Sequence, residues 1–459
     1  MKRVLALGAG LVAKPLVAEL LRRPDVELTL AALDVERARF LVDSLVESLA
    51  EERHPTREGA AGRVRAEPLD AGDAEALSRA VAGADVVASL LPADLHPTVA
   101  RACLEHRVPL VTTSYAGDAM RALDAEARAR GVLLLNECGL DPGIDHMMAV
   151  AVIRRVEREG GRIVSFVSWA GGLPAPESAE NPLRYKLSWS PRGVLLAARS
   201  PVRFLSDGRV VEHPSPYLPG GPERVEIAGV GTLEGFPNRD SLPYRALYGL
   251  EDVRDLLRGT LRYPGWSETL SALLRLGLLE TAAQDGLGPS YCDLLDARLP
   301  PGSGPMPRRI ARFLELPEDH PVLDRLAWLG LLSQQPLPDD AKTPLDALAR
   351  LFAEKLRYEE GEEDLVVLEH RFEAHFEADR PDGGRHRITS RLVATGKAGD
   401  DSAMARTVGL PAALACGLIL DGETALAGVQ IPVAEELARP ILAALAERGV
   451  EVVEEEEPM

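Results

Sequence analysis

Over the first 140 residues, short apolar runs alternate with Ala/Leu/Arg-rich stretches of helical period. The runs at Arg3–Leu7, Glu27–Leu33, Arg63–Glu67, Val86–Leu90, Pro109–Thr113 and Val132–Leu135 each predict a strand. Parallel neighbours need a long connection, usually a helix, so this alternation predicts a parallel sheet covered by crossover helices. Six strands in series fit a doubly wound nucleotide-binding sheet.

From about Gly160 the pattern changes. Arg162–Ser168, Val202–Ser206, Leu365–Ala374 and Arg385–Ala394 read as longer alternating strands, whereas Glu251–Phe352 reads as almost purely helical. Pro336–Pro344, with three prolines and two aspartates, reads as a link between helices. Small and apolar residues at helical spacing in Ser402–Leu420 predict a helix that returns to the first domain. The expected fold class is α/β with three parts. An N-terminal Rossmann-type doubly wound sheet occupies 1–140, with 402–430 returning to it. A mixed-sheet α/β domain covers 141–250 and 356–401, and an inserted all-α domain covers 251–355.

The glycine turn narrows the function. Gly8, Gly10 and Ala13 form GxGxxA directly after the first strand, with Leu11 and Val12 completing the loop. Gly8 permits the tight turn, Gly10 lets the backbone approach a pyrophosphate, and Ala13 allows close packing of helix on strand. Asp34 closes the second strand, where an acidic residue accepts hydrogen bonds from ribose hydroxyls and repels a 2′-phosphate. NAD is therefore expected ahead of NADP, although Arg37 and Arg39 lie close enough in sequence to hold such a phosphate; a plain turn aspartate is the bland alternative. Ligands collect at the C-terminal edges of the later strands, which makes Ser89, Leu91, Pro92, Thr113, Ser114 and Tyr115 candidates for the nicotinamide end. Ser168, closing the strand predicted from Arg162, joins the cofactor candidates.

Composition removes other classes. The formal charge of -19 argues against nucleic acid, which needs a basic surface. Glu454–Glu457 reads as a solvated tail. Cys103, Cys138, Cys292 and Cys416 lie far apart without a CxxC pair, so neither a metal site nor a disulfide framework is expected, and reduced thiols in a cytoplasm fit. No apolar stretch reads as reaching the ~18 residues of a membrane span.

Asn136–Met147 (NECGLDPGIDHM) closely resembles the signature of glutamate-forming saccharopine dehydrogenases. Gly171–Glu177, Asn181–Arg192, Phe236–Tyr244, Arg258–Trp266, Tyr358–Leu365 and Ser402–Gly409 follow in the family's order, so the resemblance spans essentially the whole chain. It implies a nucleotide-binding domain, a dimerising mixed domain and a helical domain. It also implies NAD(P)-dependent oxidation of saccharopine to glutamate and 2-aminoadipate 6-semialdehyde, or the reverse. Two positions depart from the family: Ala93 replaces a frequent aromatic, and Leu33-Asp34 stands where fungal members carry an Arg–Thr pair suited to NADP.

Such a substrate carries three carboxylates and two ammonium groups, and the planar fork of Arg suits a carboxylate best. Arg192, Arg199 and Arg239 are the carboxylate candidates, with Asn238, Asp240 and Ser241 crowding the turn around Arg239. Asp118 is a candidate for a substrate ammonium, the alternative being a cap on a helix Ala119–Arg130. Tyr115 is a nearby hydrogen-bond donor, and His146 suits proton exchange near neutrality, the alternative being a structural histidine at the turn between domains. Acting on one substrate requires the glycine turn and the Asn238–Asp240 bend to face one cleft. The rival readings are a carboxynorspermidine-type dehydrogenase and a non-catalytic dinucleotide sensor.

Overall fold

A computed structural model describes residues 1–51, 60–284, 286–377, 383–399 and 401–459. Contacts divide the chain into two units: Met1–Arg162 with Ser390–Glu455, and Ile163–Thr389 with Glu456–Met459.

The first unit opens with six parallel strands: β1 (Lys2–Leu7), β2 (Val26–Ala32), β3 (Val64–Pro68), β4 (Val86–Ser89), β5 (Leu110–Thr112) and β6 (Leu133–Leu135). All six predicted strands are present within a residue or two. β4, β5 and β6 are buried at every position, as expected of strands covered on both faces. Leu7 pairs in register with both Ala31 and Ser89, and Ser89 with Thr112, so the C-terminal ends of β1, β2, β4 and β5 meet at one edge. The expected helix Ala119–Arg130 is two helices, Asp118–Arg121 and Asp124–Arg130. Gly117 is the cap of the first, so Asp118 is a first-turn residue and not the cap. After β6 the helix Ile144–Arg158 buries Ile144, Met147, Val150, Ile153 and Val156, and the unit runs to Arg162 rather than ending at 140.

The second unit contributes β7 (Gly161–Pro174), β8 (Val202–Ser206), β9 (Arg209–His213), β10 (Glu223–Ile227), β11 (Gly231–Pro237), β12 (Asp255–Arg262), β13 (Glu363–Phe376) and β14 (Gly384–Lys397). The strand β12 corrects the reading of 251–355 as purely helical. It pairs parallel with β7, and a Cβ at Gly259 would lie 2.1 Å from Cζ3 of Trp169, so the bare backbone admits the indole. Helices Trp266–Arg275, Met306–Leu314, Pro321–Leu329 and Pro344–Lys355 close over a core of Leu270, Ile310, Leu326 and Phe352. That core also takes in Tyr185 and Leu195, so the helices share an interior with the rest of the second unit.

The returning segment begins with the helix Ala403–Asp421, capped by Ser402, whose Oγ accepts from Ala405 N at 3.0 Å. By length and composition, with mean hydropathy 1.6, it could cross a membrane, contrary to the sequence reading. It instead packs against the helix Ala13–Leu21: a Cβ at Gly409 would lie 2.7 Å from Val12 O and 3.0 Å from Leu16 N. β15 (Gly428–Gln430) then joins β6 as a seventh, unpredicted strand, giving the order β15-β6-β5-β4-β1-β2-β3. β16 (Val452–Pro458) corrects the expected solvated tail, since it pairs with β14. Glu457 pairs with Arg387 at 3.0 Å, Glu456 with His386 at 2.8 Å and Glu455 with Arg391 at 3.6 Å. These exposed charges suit a strand at a sheet edge, where they discourage further pairing. The larger sheet runs β10-β11-β12-β7-β13-β14-β16, with β8 beside β12 and β9 beside β8.

Candidate functional site

In the first unit the glycine turn has the shape of a phosphate cradle. Gly8 has φ +98°, and a Cβ there would lie 3.3 Å from the carbonyl of Leu90 and 3.5 Å from Leu91, so this turn requires glycine. Among the described residues, no atom beyond its chain neighbours lies within 4 Å of a Cβ built on Gly10, leaving the loop open above it. Ala13 is fully buried where the helix Ala13–Leu21 begins, while Leu11 is half exposed. The end residue Val12 supplies no side-chain cap and the first turn holds no acidic residue, so neither satisfies the backbone N–H groups or the positive helix end with an anion. These residues fit a dinucleotide pyrophosphate.

Asp34 lies exposed after β2, and its Oδ1 accepts from Arg37 N at 3.0 Å, capping the helix Val35–Glu51. Arg39 pairs with Glu36 at 2.6 Å, and the Arg37 guanidinium lies 5.6 Å from the Phe40 ring. At the ends of β4 and β5, Ser89 is fully buried with its Oγ 3.1 Å from His96 Nδ1. His96 Nε2 lies 3.0 Å from Thr112 Oγ1 and 2.9 Å from Ser114 Oγ. Burial pushes the His96 imidazole down to about 4, so it is neutral at physiological pH. The sequence reading passed over His96, whose only signal was its place seven residues after Ser89, at the start of the helix His96–His106.

A second polar group gathers the signature residues. The Tyr115 hydroxyl donates to Asp141 Oδ1 at 2.9 Å. Glu137, in a left-handed backbone conformation with φ +61°, accepts from Ala116 N at 2.9 Å and meets His146 Nε2 at 2.8 Å. Asp145 accepts from Gly143 N at 2.5 Å and lies 3.9 Å from His146 Nδ1. His146 is 0% exposed, which removes the solvent access expected of a proton carrier and makes it a buried partner of Glu137. Asp118, by contrast, lies exposed in the first turn of the helix Asp118–Arg121. Glu137 was the missed residue here: it joins the loop after β5 to the helix carrying His146.

In the second unit, Asn238–Ser241 is pinned between two strands. Asn238 N donates to Arg258 O at 2.8 Å, and Ser241 Oγ accepts from Arg258 N at 2.9 Å. Arg203 N donates to Arg239 O at 3.0 Å, and Asp240 accepts from Leu242 N and from Arg203 Nη1, both at 2.9 Å. Arg239 holds a left-handed conformation with φ +56° and is exposed. Ser168, 3% exposed within β7, is the register partner of Arg258. Ser168, Asn238 and Ser241 therefore meet around Arg258, whose guanidinium stacks 4.1 Å over the Tyr244 ring. Arg192 and Arg199 bond instead to the helical segment, Arg192 to Asp346 and Arg199 to Thr281 at 3.1 Å. A cleft of about 470 Å³ lined by Trp169, Phe204, Tyr217 and Phe236 includes none of the predicted substrate residues.

Comparison with known proteins places this arrangement. Residues 4–135 match the family model described as saccharopine dehydrogenase NADP binding domain, and residues 139–450 that of the saccharopine dehydrogenase C-terminal domain. Over 466 residues the chain is 34% identical to the saccharopine dehydrogenase [NADP(+), L-glutamate-forming] of Schizosaccharomyces pombe, covering 99% of each. It is 37% identical over 470 residues to the mitochondrial alpha-aminoadipic semialdehyde synthase of Bos taurus, covering 98% of this chain and 47% of that protein. The chain thus spans about half the length of these mammalian relatives. The apo histidine-tagged saccharopine dehydrogenase (L-Glu forming) from Saccharomyces cerevisiae superimposes with a TM-score of 0.85 at 34% identity, over 100% of both chains. The NADP in the family description runs against the NAD preference expected from Asp34.

Proposed function

The chain belongs to the saccharopine dehydrogenase family, and on that premise we propose that it oxidises saccharopine to L-glutamate and 2-aminoadipate 6-semialdehyde, or runs the reverse condensation. The observation that carries this reading is the full-length likeness, in sequence and in backbone, to glutamate-forming enzymes. The open cradle at Gly8 and Gly10 supports a dinucleotide partner independently. When bound, a nicotinamide dinucleotide accepts the hydride that leaves the carbon beside the secondary amine. The substrate imine then adds water and separates into amine and aldehyde.

The chain's own groups recognise charge and steer protons. Arg239, with Asn238, Asp240 and Ser241 around it, is proposed to receive a substrate carboxylate, and Arg199 and Arg192 the others. The exposed carboxylate of Asp118 is suited to a substrate ammonium, and Tyr115, set by Asp141, to a hydrogen bond beside it. His146 serves through Glu137, which holds Ala116 and hence the Tyr115 loop in place.

For the cofactor, two supports point in opposite directions. The family description and the name of the fungal relative carry NADP. This chain's own carboxylate at the end of β2 favours NAD through repulsion of a 2′-phosphate. We keep NAD as the preferred acceptor and NADP as the second. We also propose a homodimer, as the resemblance implies, in a reducing cytoplasm, where the free thiols of Cys103, Cys138 and Cys416 remain buried.

Purified protein with saccharopine and either dinucleotide is expected to generate reduced cofactor, followed by absorbance. Dinucleotide binding without reduction would favour the sensor reading, and faster turnover of carboxynorspermidine would move the substrate assignment. Sedimentation equilibrium checks the dimer.

A further inference from the structure

Ser89 and Thr112 are the last residues of β4 and β5 and stand in register. Their hydroxyls lie at the sheet edge where a doubly wound fold takes its ligand. His96 enters from the start of its helix and spans both strand ends, with Nδ1 on Ser89 and Nε2 shared by Thr112 and Ser114. Ser89 and Thr112 are 0% exposed and His96 is 2% exposed. Thr112 Oγ1 also accepts from Ser114 N at 3.1 Å, so the imidazole and the threonine together fix the turn that carries Ser114.

A neutral imidazole has one donor and one acceptor nitrogen. If Nδ1 carries the proton, the ring donates to Ser89 and accepts a hydroxyl proton on the Thr112–Ser114 side. The other tautomer reverses both roles. Either way, one ring decides the hydroxyl directions at two neighbouring strand ends, and among the described residues no other side chain is hydrogen-bonded to both.

We propose that His96 is a positioning residue for the dinucleotide: by bridging Ser89 to Thr112 and Ser114 it fixes the two loops beside the nicotinamide end. This rests on the dinucleotide reading above. It does not require His96 to touch the cofactor or to exchange a proton with substrate.

The test uses the full chain, with NADH and NADPH affinities measured by direct titration and KM values for dinucleotide and saccharopine measured separately. His96→Leu removes both bridges. It is expected to weaken dinucleotide binding about tenfold, the loss of roughly one net hydrogen bond, while the KM for saccharopine stays within about twofold. His96→Gln, whose amide reaches the Thr112 and Ser114 side, is expected to stay within about threefold of wild type on the same scale. Should the leucine variant not fold, His96→Asn, which keeps reach to Ser89 alone, is expected to fall between the two. Affinity of the folded variants equal to wild type would overturn the proposal, as would an equal rise in both KM values, which marks general structural damage. Wild-type protein that binds neither dinucleotide would overturn the functional reading and this inference together; normal wild-type binding with an unaffected variant overturns the inference alone.

Discussion

At Asp34 one carboxylate oxygen already accepts the Arg37 N–H, so the side chain caps a helix as well as bearing charge beside the second strand. Asp34→Ala is therefore expected to do two things. Loss of the cap costs about 1 kcal/mol of stability, and loss of the charge shifts kcat/KM toward NADP by about tenfold, relative to NAD. Unchanged preference in steady-state kinetics would take Asp34 out of cofactor choice. At Arg239, removal of a charge-assisted contact predicts a KM for saccharopine raised by about tenfold or more in Arg239→Ala, with the dinucleotide KM within about twofold. At His96, burial lowers the imidazole from 6.5 to about 4, opposed weakly by the Asp94 carboxylate. The unfolded chain takes up a proton as pH falls through 6.5 and the folded chain does not, so stability falls between pH 6.5 and 4 by about 3 kcal/mol, then levels. Denaturant titrations across that range should show the loss in wild type and its absence in His96→Gln.

Among the elements, the close approach of Ala403–Asp421 to Ala13–Leu21 depends on Gly409. Alanine at a helix interior normally gains up to ~1 kcal/mol over glycine. Here the new methyl meets backbone that cannot swing aside, and overpacking of that kind costs about 1–3 kcal/mol. Gly409→Ala is expected to lower the thermal midpoint despite its better helix propensity, and a raised midpoint would contradict the packing described. The same elements show what was readable beforehand. Buried parallel strands are continuous apolar runs, so β1, β4, β5 and β6 stood out, and the ends of all six were right within a residue or two. β15 is three residues long and displays no period. β12 is broken by Arg258 and Gly259, and its leucines resembled a helical stripe. β16 was hidden by four consecutive glutamates, because pairing at a sheet edge depends on backbone groups and leaves the side chains in water. Gly8 and Gly10 announce themselves through local sequence. His96, Glu137 and Arg258 do not, because each acquires its partners only when separate strand ends are brought together.

At the scale of the whole molecule, the unit holding the glycine turn is assembled from both ends of the chain. Ser390–Glu455 supplies its seventh strand and the helix that presses on Ala13–Leu21. Lys2, Arg23 and Asp421 close this arrangement: Asp421 meets Arg23 Nη1 and Lys2 Nζ, each at 2.6 Å, and the Arg23 guanidinium, with Lys2, holds its carboxyl well below the usual range. The intervening unit is built from nearly contiguous chain, apart from its last four residues.

A ribosome therefore releases the middle of this protein in a nearly complete state while its beginning still waits for a missing helix and edge strand. During synthesis the later-encoded body is expected to acquire protease resistance first, reversing the usual amino-to-carboxyl order of maturation. Pulse-labelled nascent chains stalled so that Thr389 has cleared the ribosome while Ser390–Glu455 has not should yield a resistant fragment from the middle and none from residues 1–162, and the opposite pattern would show that the amino-terminal strands hold together without their distant complement.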